Sequence, residues 1–171
     1  MTNKPDFKTV PEYYHQYINL VAEDDLTTAL EKQLLSTMLF LKTIPEEIGN
    51  FRYAENKWSA KEVLLHIMDT ERIFTYRSLC ISRNDKTNFP SFDENNYAPN
   101  SNAANRTMEE IILEYEALRR STILLFRGFS PSMMDETGTA NNFSITPRGI
   151  GWVIAGHELH HLNVIKERYL S

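Results

Sequence analysis

Four long segments of the chain repeat hydrophobic residues at the spacing of an α-helix, with polar residues between them. The first stripe is the most regular, and it consists of Leu26, Leu30, Leu34, Met38 and Leu41. Residues three and four apart share one face of a helix, so each segment predicts a helix that buries one side. Four such helices in a chain of 171 residues favour an all-α fold of the four-helix-bundle type.

Breaker and capping residues set the expected bounds of the first helices. A short extra helix is expected over about residues 11–20, ahead of the bundle. The first long helix is expected over about residues 26–43, with Asp25 as its N-cap. The second is expected over about residues 59–83, because Ser59 and Glu62 form the sequence signature of a capping box.

The third and fourth helices carry equally clear end signals. Thr107 and Glu110 predict a second capping box, and Gly128 ends that helix. Thr146 and Pro147 suit the N-cap and the first position of the fourth helix, which continues almost to the last residue. The expected buried face of the third helix is Ile111, Tyr115, Leu118, Thr122 and Leu125.

Two polar stretches, 84–106 and 130–145, lie between the later helices. Both are rich in Pro, Asn and Ser, and neither has a strand pattern of convincing length. The first is longer than two neighbouring helices need, so we expect a long crossover loop. Its aromatic residues Phe89, Phe92 and Tyr97 should fold back onto the bundle, either as packing or as a pocket wall. Residues 1–171 are expected to form a single domain.

Composition and charge exclude several classes of protein. The net charge is −5, and no basic stripe interleaved with aromatics predicts nucleic-acid binding. No apolar run reaches the roughly 18 residues of a membrane span, and the N-terminal sequence lacks the apolar core of a secretory signal. Cys80 is the only cysteine, which excludes an internal disulfide and fits a reducing compartment. We therefore expect a cytoplasmic protein without nucleic-acid or membrane partners.

The histidines carry the candidate chemistry. His157 and His161 are four residues apart, so they lie one above the other on a helix. They fall on the apolar stripe of the last helix, where unpartnered imidazoles are costly and a metal ion is a natural partner. His66, beside the apolar face of the second helix, can supply a third ligand. Three histidines with open positions describe a catalytic type of metal site.

The sequence also suggests roles for two acidic residues near the three histidines, for the other two histidines and for the two tryptophans. Asp69 and Glu158 are candidates to accept hydrogen bonds from the ligand imidazoles. His15 and His160 are interpreted as ordinary core or surface residues, although His160, three residues from His157, could compete with His161 for the metal. Trp58 and Trp152 are interpreted as core residues.

A competing motif overlaps the histidine pair. Residues 157–161 read H-E-x-x-H, in which Glu158 would be the general base of a zinc peptidase. Such enzymes usually take a third ligand from further downstream, where this chain offers no histidine. We therefore disfavour a peptidase.

Three segments together resemble a known family. They are WSAKEVLLHIMDTERIFTYRSLCISR at 58–83, FDENNYA at 92–98 and IAGHELHHLNVIKERYL at 154–170. They resemble the DinB-like, damage-inducible metal-binding superfamily, which is unrelated to the translesion polymerase of the same label. The resemblance spans nearly the whole chain in order.

The resemblance implies a fold, a site and a range of activities. The implied fold is a four-helix bundle in an up-down-down-up arrangement, usually a homodimer. The implied site binds nickel or zinc on His66, His157 and His161. Related proteins are described as metal-dependent hydrolases, or as thiol S-transferases and isomerases that use low-molecular-weight thiols such as bacillithiol or mycothiol.

These observations predict a divalent-metal-binding protein, an enzyme that activates water or a thiol for reaction with a small molecule. Arg77, on the same stripe of the second helix as His66, is a candidate to hold a substrate or cofactor carboxylate. An ion pair with Glu71 or with another carboxylate of the bundle is the other interpretation of Arg77. A non-catalytic stress-response protein that binds metal or a partner is the alternative function.

Overall fold

Four long α-helices form the bundle that the hydrophobic pattern predicts. The computed structural model describes residues 3–170, so residues 1, 2 and 171 lie outside the description. Within that range the α-helices are α1 (His15–Ile18), α2 (Leu26–Leu41), α3 (Glu46–Gly49), α4 (Ala60–Ser82), α5 (Glu94–Tyr97), α6 (Met108–Arg127), α7 (Pro131–Met134) and α8 (Pro147–Arg168). Single 3-10 turns lie at Phe7–Thr9, Glu12–Tyr14, Ala98–Asn100 and Ala103–Asn105. Across these residues, none of the helices is both long and apolar enough to cross a membrane.

The predicted caps begin all four long helices. Each N-cap side chain accepts a hydrogen bond from the backbone N–H three residues further on. These caps are Asp25, Ser59, Thr107 and Thr146. The two capping boxes are complete, because Glu62 and Glu110 accept bonds from the N-cap backbone in return. The helix predicted at 11–20 is shorter than expected, since only α1 and a preceding 3-10 turn form there.

Contacts at the helix ends give the directions of α4, α6 and α8. The hydroxyl of Tyr169, after α8, donates to the carbonyl of Trp58, before α4, at 2.7 Å, so α4 and α8 are antiparallel. Glu46 accepts bonds from Lys61, at the start of α4, and from the backbone N–H of Met108, at the start of α6. The helices α4 and α6 are therefore parallel. A parallel pair needs a crossover, which explains the long loop at 84–106.

The direction of α2 completes the arrangement. Glu31, near the start of α2, forms an ion pair with Arg127, at the end of α6, so these two helices are antiparallel. Thr37 of α2 donates to Glu158 of α8 at 2.7 Å, and both lie in the second half of their helices. The bundle is thus up-down-down-up, as the family resemblance implied.

A buried polar cluster ties the four long helices together, and we call it the Arg119 network. Arg119 of α6 has 0% exposure. Its guanidinium donates to Glu71 of α4, Glu158 of α8 and Gln33 of α2. Tyr115 donates to Glu158 as well, at 3.0 Å. Buried charges are tolerated when they are paired and hydrogen-bonded, so this cluster fixes the relative positions of the helices.

The buried face of α6 differs from the predicted one because of this network. Ile111, Tyr115 and Thr122 are buried as expected. Leu118 and Leu125 are only half-buried, and Arg119 is buried in their place. A buried face of α6 predicted from apolar residues alone is therefore rotated slightly from the observed one. The reason is that an arginine paired with carboxylates can occupy a core position.

A small sheet links the two polar stretches, which the sequence predicted as strand-free. Strand β1 (Asn88–Phe89) pairs in parallel with β2 (Gly138–Ala140), which pairs antiparallel with β3 (Phe143–Ile145). Asn141 and Asn142 join β2 to β3 with positive φ angles of 51° and 65°, the geometry of a two-residue hairpin turn. Strands of two and three residues are too short to show an alternating pattern, so the prediction was wrong here.

The N-terminal segment lies directly on α8. A Cβ atom added at Gly156 would lie 2.0 Å from the carbonyl oxygen of Tyr17, closer than real atoms approach. Only glycine therefore allows the α1 backbone to contact α8 at this point. The close approach places the ring of Tyr17 5.6 Å from the ring of His157.

Candidate metal centre

Two helices bring three histidines to one point, and we call them the histidine triad. His66 lies in the first half of α4, and His157 and His161 lie one turn apart on α8. The Nε2 atom of His157 is 3.1 Å from that of His66 and 3.0 Å from that of His161. One ring nitrogen of each histidine lies within 4.8 Å of the others, an arrangement that could hold a metal ion. The structure therefore brings together all three predicted ligands.

Burial keeps the three imidazoles neutral at neutral pH. Desolvation lowers the pKa of His66 to about 4 and that of His161 to about 3. His157 is 8% exposed, and burial followed by the neighbouring histidines holds its pKa well below the usual value. A neutral imidazole has a free lone pair, which is the form that binds metal ions.

The metal-free protein is expected to lose stability as the pH falls from about 6.5 towards 4. Histidines in the unfolded chain protonate near pH 6.5, whereas the triad in the folded protein does not until about pH 4 or below. Over that interval the unfolded state binds more protons, so the free energy of unfolding decreases. Urea denaturation of chelator-treated protein at pH 7, 5.5 and 4.5 measures the effect.

A His161→Gln variant is the control for this pH dependence. Its stability should fall less steeply over the same interval, because one depressed histidine has been removed. Equal slopes for the variant and the wild type would show that His161 is not held neutral by burial.

The histidine triad opens into a pocket of about 400 Å³. One wall is a stripe of α4, on which His66, Thr70, Phe74 and Arg77 all face the cavity. The spacing of four, four and three residues keeps these side chains on one helix face. The other walls come from the N-terminal tyrosines, Trp58, the loop 84–106 and the β2–β3 turn.

The crossover loop contributes directly to this pocket. Phe89 is 4% exposed, and Phe92 lines the cavity, so these two aromatics fold back as predicted. Tyr97 is 45% exposed and lies outside the pocket lining, but its ring packs on that of Phe92, with the centroids 5.5 Å apart. The loop is therefore packed by its own aromatics and also forms a wall of the pocket.

Arg77 lies on the pocket wall as the sequence suggested. It is 6% exposed, donates to the carbonyl of Pro90 at 2.6 Å, and lies over the ring of Phe74 at 5.3 Å. The alternative ion pair with Glu71 is wrong, because Glu71 pairs with Arg119. Burial lowers the pKa of Arg77, against the effect of the nearby phenol of Tyr14.

The two acidic residues expected to support the histidines are engaged elsewhere. Both carboxylate oxygens of Glu158 are used in the Arg119 network, by Thr37 and by Tyr115 and Arg119. Asp69 interacts with Arg72 on the same helix. The peptidase interpretation also fails, because a Glu158 held in the bundle interior cannot serve as a base in the pocket.

The other histidines and the tryptophans have simpler roles, with one exception. His15 bonds through Nε2 to the carbonyls of Phe7 and Val10, and His160 is outside the group of converging nitrogens. Trp152 is fully buried, as predicted. Trp58 was expected in the core, but it lines the pocket, with its ring 4.9 Å from that of His66.

Several pocket residues had no signal in the sequence. Tyr17 and Asn141 reach the pocket only through the contact of α1 with α8 and through the β2–β3 turn. Glu94 lies on the exposed side of the cavity and partly offsets the effect of burial on the pKa of His66. No helical periodicity connects these positions, so only the fold places them together.

Fold and site define the class: an up-down-down-up four-helix bundle with three histidines facing a pocket. The sequence profile of the DinB superfamily matches residues 29–165, and the chain belongs to this superfamily. Its fold is similar to that of YfiT from Bacillus subtilis, described as a probable metal-dependent hydrolase with an unusual four-helix bundle topology. The TM-score is 0.71 at 13% sequence identity, over 96% of this chain and 91% of YfiT. No curated protein matches the sequence.

Proposed function

We propose that this protein is a metal-dependent enzyme acting on a small molecule, with a divalent ion held by His66, His157 and His161. The observation that carries the proposal is the convergence of three neutral Nε2 atoms in an open pocket. Three protein ligands leave at least one coordination position for a reactant, which is the pattern of catalytic sites. The description of YfiT as a probable metal-dependent hydrolase supports the same interpretation.

The donor set fits zinc or nickel. Two nitrogens of a tetrahedral zinc site with bonds of 2.0–2.1 Å lie about 3.3 Å apart. Two of the three nitrogen–nitrogen separations, 3.0 and 3.1 Å, are close to that value, and all three nitrogens lie within 4.8 Å of one another. The Nε2 atom of His157 has either one proton or one lone pair, so without an ion it can form a hydrogen bond with only one of the two ring nitrogens that face it. A bound ion would accept the lone pairs of all three nitrogens. Imidazole is a suitable ligand for both metals.

A bound ion would lower the pKa of a water or a thiol and so supply the nucleophile. Hydrolysis adds water across the scissile bond. Thiol transfer joins the sulfur to an electrophilic carbon, and the leaving group departs with the bonding electrons while the thiol proton passes to solvent. Cys80 is not among the residues that line the pocket, so a thiol would come from a second small molecule.

The chain itself would bind and orient the substrate. The rings of Tyr14, Trp58 and Phe92 surround the cavity and would cover the apolar part of a bound molecule. Tyr17 packs its ring edge against His157 and helps hold that imidazole in place. Displacing water from such a site strengthens the electrostatic interactions within it.

The test is metal content followed by turnover. Elemental mass spectrometry of tag-free protein should give about one equivalent of zinc or nickel. The loaded protein should hydrolyse 4-nitrophenyl acetate, or couple cysteine to 1-chloro-2,4-dinitrobenzene, and a chelator should abolish the reaction. Thiol-independent turnover favours hydrolysis, and turnover only with cysteine favours transfer.

Two results would overturn the enzyme proposal. Protein that takes up no metal on titration has no metal centre. Protein that holds one equivalent, shows no turnover of any tested substrate and melts far lower without its metal would fit the non-catalytic alternative. A cytoplasmic location and a homodimer stay predictions from the sequence and from the family resemblance.

A further inference from the structure

Arg77 is a buried cation that faces the cavity, and Glu94, the carboxylate among the residues that line the cavity, does not form an ion pair with it. Among residues 3–170, no carboxylate lies within ion-pair distance of its guanidinium. Its recorded hydrogen bond uses one of five N–H donors and goes to the Pro90 carbonyl. The fully buried Arg119 has two carboxylate partners in the same bundle. Burying an unpaired charge is costly, which indicates that a ligand completes the environment of Arg77.

A second unpartnered polar group lies between Arg77 and the histidine triad. The side chain of Thr70 lines the same pocket, and its buried hydroxyl has no hydrogen-bond partner in the described part of the chain. Thr70 is one helical turn from His66 on the same face of α4. The α4 wall is therefore formed, in order, by a histidine, a threonine, the Phe74 ring and an unpaired guanidinium.

The helix also sets the distance between the two ends of this wall. The guanidinium of Arg77 leans back over Phe74, as side chains on helices do. Phe74 is eight residues beyond His66, and at a rise of 1.5 Å per residue this is about 12 Å along the axis. A ligand that reaches both ends must span about that length.

We propose that Arg77 binds the carboxylate of an elongated substrate whose other end reacts at the histidine triad. This inference rests on the proposed function and names the class of substrate. A planar carboxylate matches the two parallel N–H donors of a guanidinium. The middle of the molecule would be apolar, because Phe74, Tyr14 and Phe92 line that part of the pocket.

The test uses ligands with a metal-binding thiol at one end and either a carboxylate or a neutral ester at the other. Binding of 8-mercaptooctanoate and of its methyl ester to zinc-loaded protein is measured by calorimetry. The acid should bind about tenfold more tightly than the ester, or better, since a hydrogen-bonded ion pair is lost in the ester. The shorter acid 5-mercaptopentanoate should bind no better than its own ester, because it cannot reach Arg77 and is too long to close a small chelate ring on the zinc.

Variants of Arg77 identify the residue responsible. Arg77→Met should bind acid and ester equally while keeping its zinc content. Its melting temperature should change little, because loss of the hydrogen bond to the Pro90 carbonyl is offset by removal of a buried, unpaired charge. Arg77→Lys keeps the charge without the planar donor pair and should retain part of the preference. Arg120→Met, a change to an exposed arginine on α6, is the matched control and should bind like the wild type.

The outcomes separate this proposal from the proposed function. Equal binding of acid and ester by the wild type, or a preference that survives in Arg77→Met, overturns the carboxylate subsite. Metal-free protein is titrated in parallel with octanoate and methyl octanoate. A preference for octanoate in protein that never takes up zinc would keep the subsite and discard the metal centre.

Discussion

The His161→Ala variant is expected to bind zinc or nickel at least about 100-fold more weakly than the wild type. Loss of a hydrogen-bond partner behind a ligand already costs 10–100-fold in metal affinity, and loss of the ligand itself should cost more. His161 is only partly buried and its Nε2 atom lies 3.0 Å from that of His157, so the change removes a ligand with little loss of core packing. Elemental analysis and competition with a coloured chelator measure the affinity.

His160→Ala is the matched control, because His160 is next in sequence and also half-buried. Its ring lies 4.9 Å from that of His161, but it does not belong to the histidine triad. This variant should keep its full metal content. If both variants lose the metal equally, or if neither does, the assignment of ligands is wrong.

The Arg119→Met variant is expected to lose about 3–5 kcal/mol of unfolding free energy at pH 7. Methionine fills similar space but leaves Glu71 and Glu158 buried without their cation. Burial raises the pKa of Glu158, and Arg119 offsets only part of that rise. The loss should be visible as a lower urea midpoint, with little change in the slope of the transition.

The defect of Arg119→Met should shrink as the pH is lowered to about 4.5. A carboxyl whose pKa is raised in the folded state lowers the free energy of unfolding once the pH exceeds its pKa in the unfolded chain, near 4.3. Below that pH the carboxyl is protonated in both states and no longer destabilises the protein. The histidines change the free energy of unfolding of the wild type and of the variant equally at each pH. The difference in free energy between the two proteins therefore reports on the carboxyls alone.

Arg120→Met, which removes an exposed i,i+4 ion pair with Glu116, should cost less than about 0.5 kcal/mol at any pH. A defect in Arg119→Met that is small, or independent of pH, would contradict a role for the buried ion pairs.

The Arg119 network also has a bearing on the metal centre. Glu71 is five residues beyond His66 on α4, and Glu158 follows His157 on α8. One guanidinium holds both carboxylates, so it fixes the two ligand-bearing helices relative to each other. The Nε2 atoms of His66 on α4 and His157 on α8 can then lie 3.1 Å apart.

The sequence by itself predicted the four long helices, their N-terminal caps and the three histidines. These features have local causes. The capping box of Ser59 and Glu62 is formed within one helical turn. The i,i+4 spacing of His157 and His161 places both side chains on the same face of one helix. His66 could be predicted as a third ligand because it lies beside the apolar face of α4. An apolar helix face must point into the bundle, whichever helix it packs against.

Only the tertiary structure decided which polar residues are buried and what lines the pocket. Arg119 looks like a surface residue in the sequence, and it becomes a core residue because carboxylates from α4 and α8 meet it. Tyr17 and Asn141 enter the pocket through a glycine contact and a two-residue turn that join segments distant in the chain. Arg77, unlike Arg119, has no carboxylate within ion-pair distance among residues 3–170. Pairing between distant charges depends on how helices pack, and helical periodicity carries no information about it.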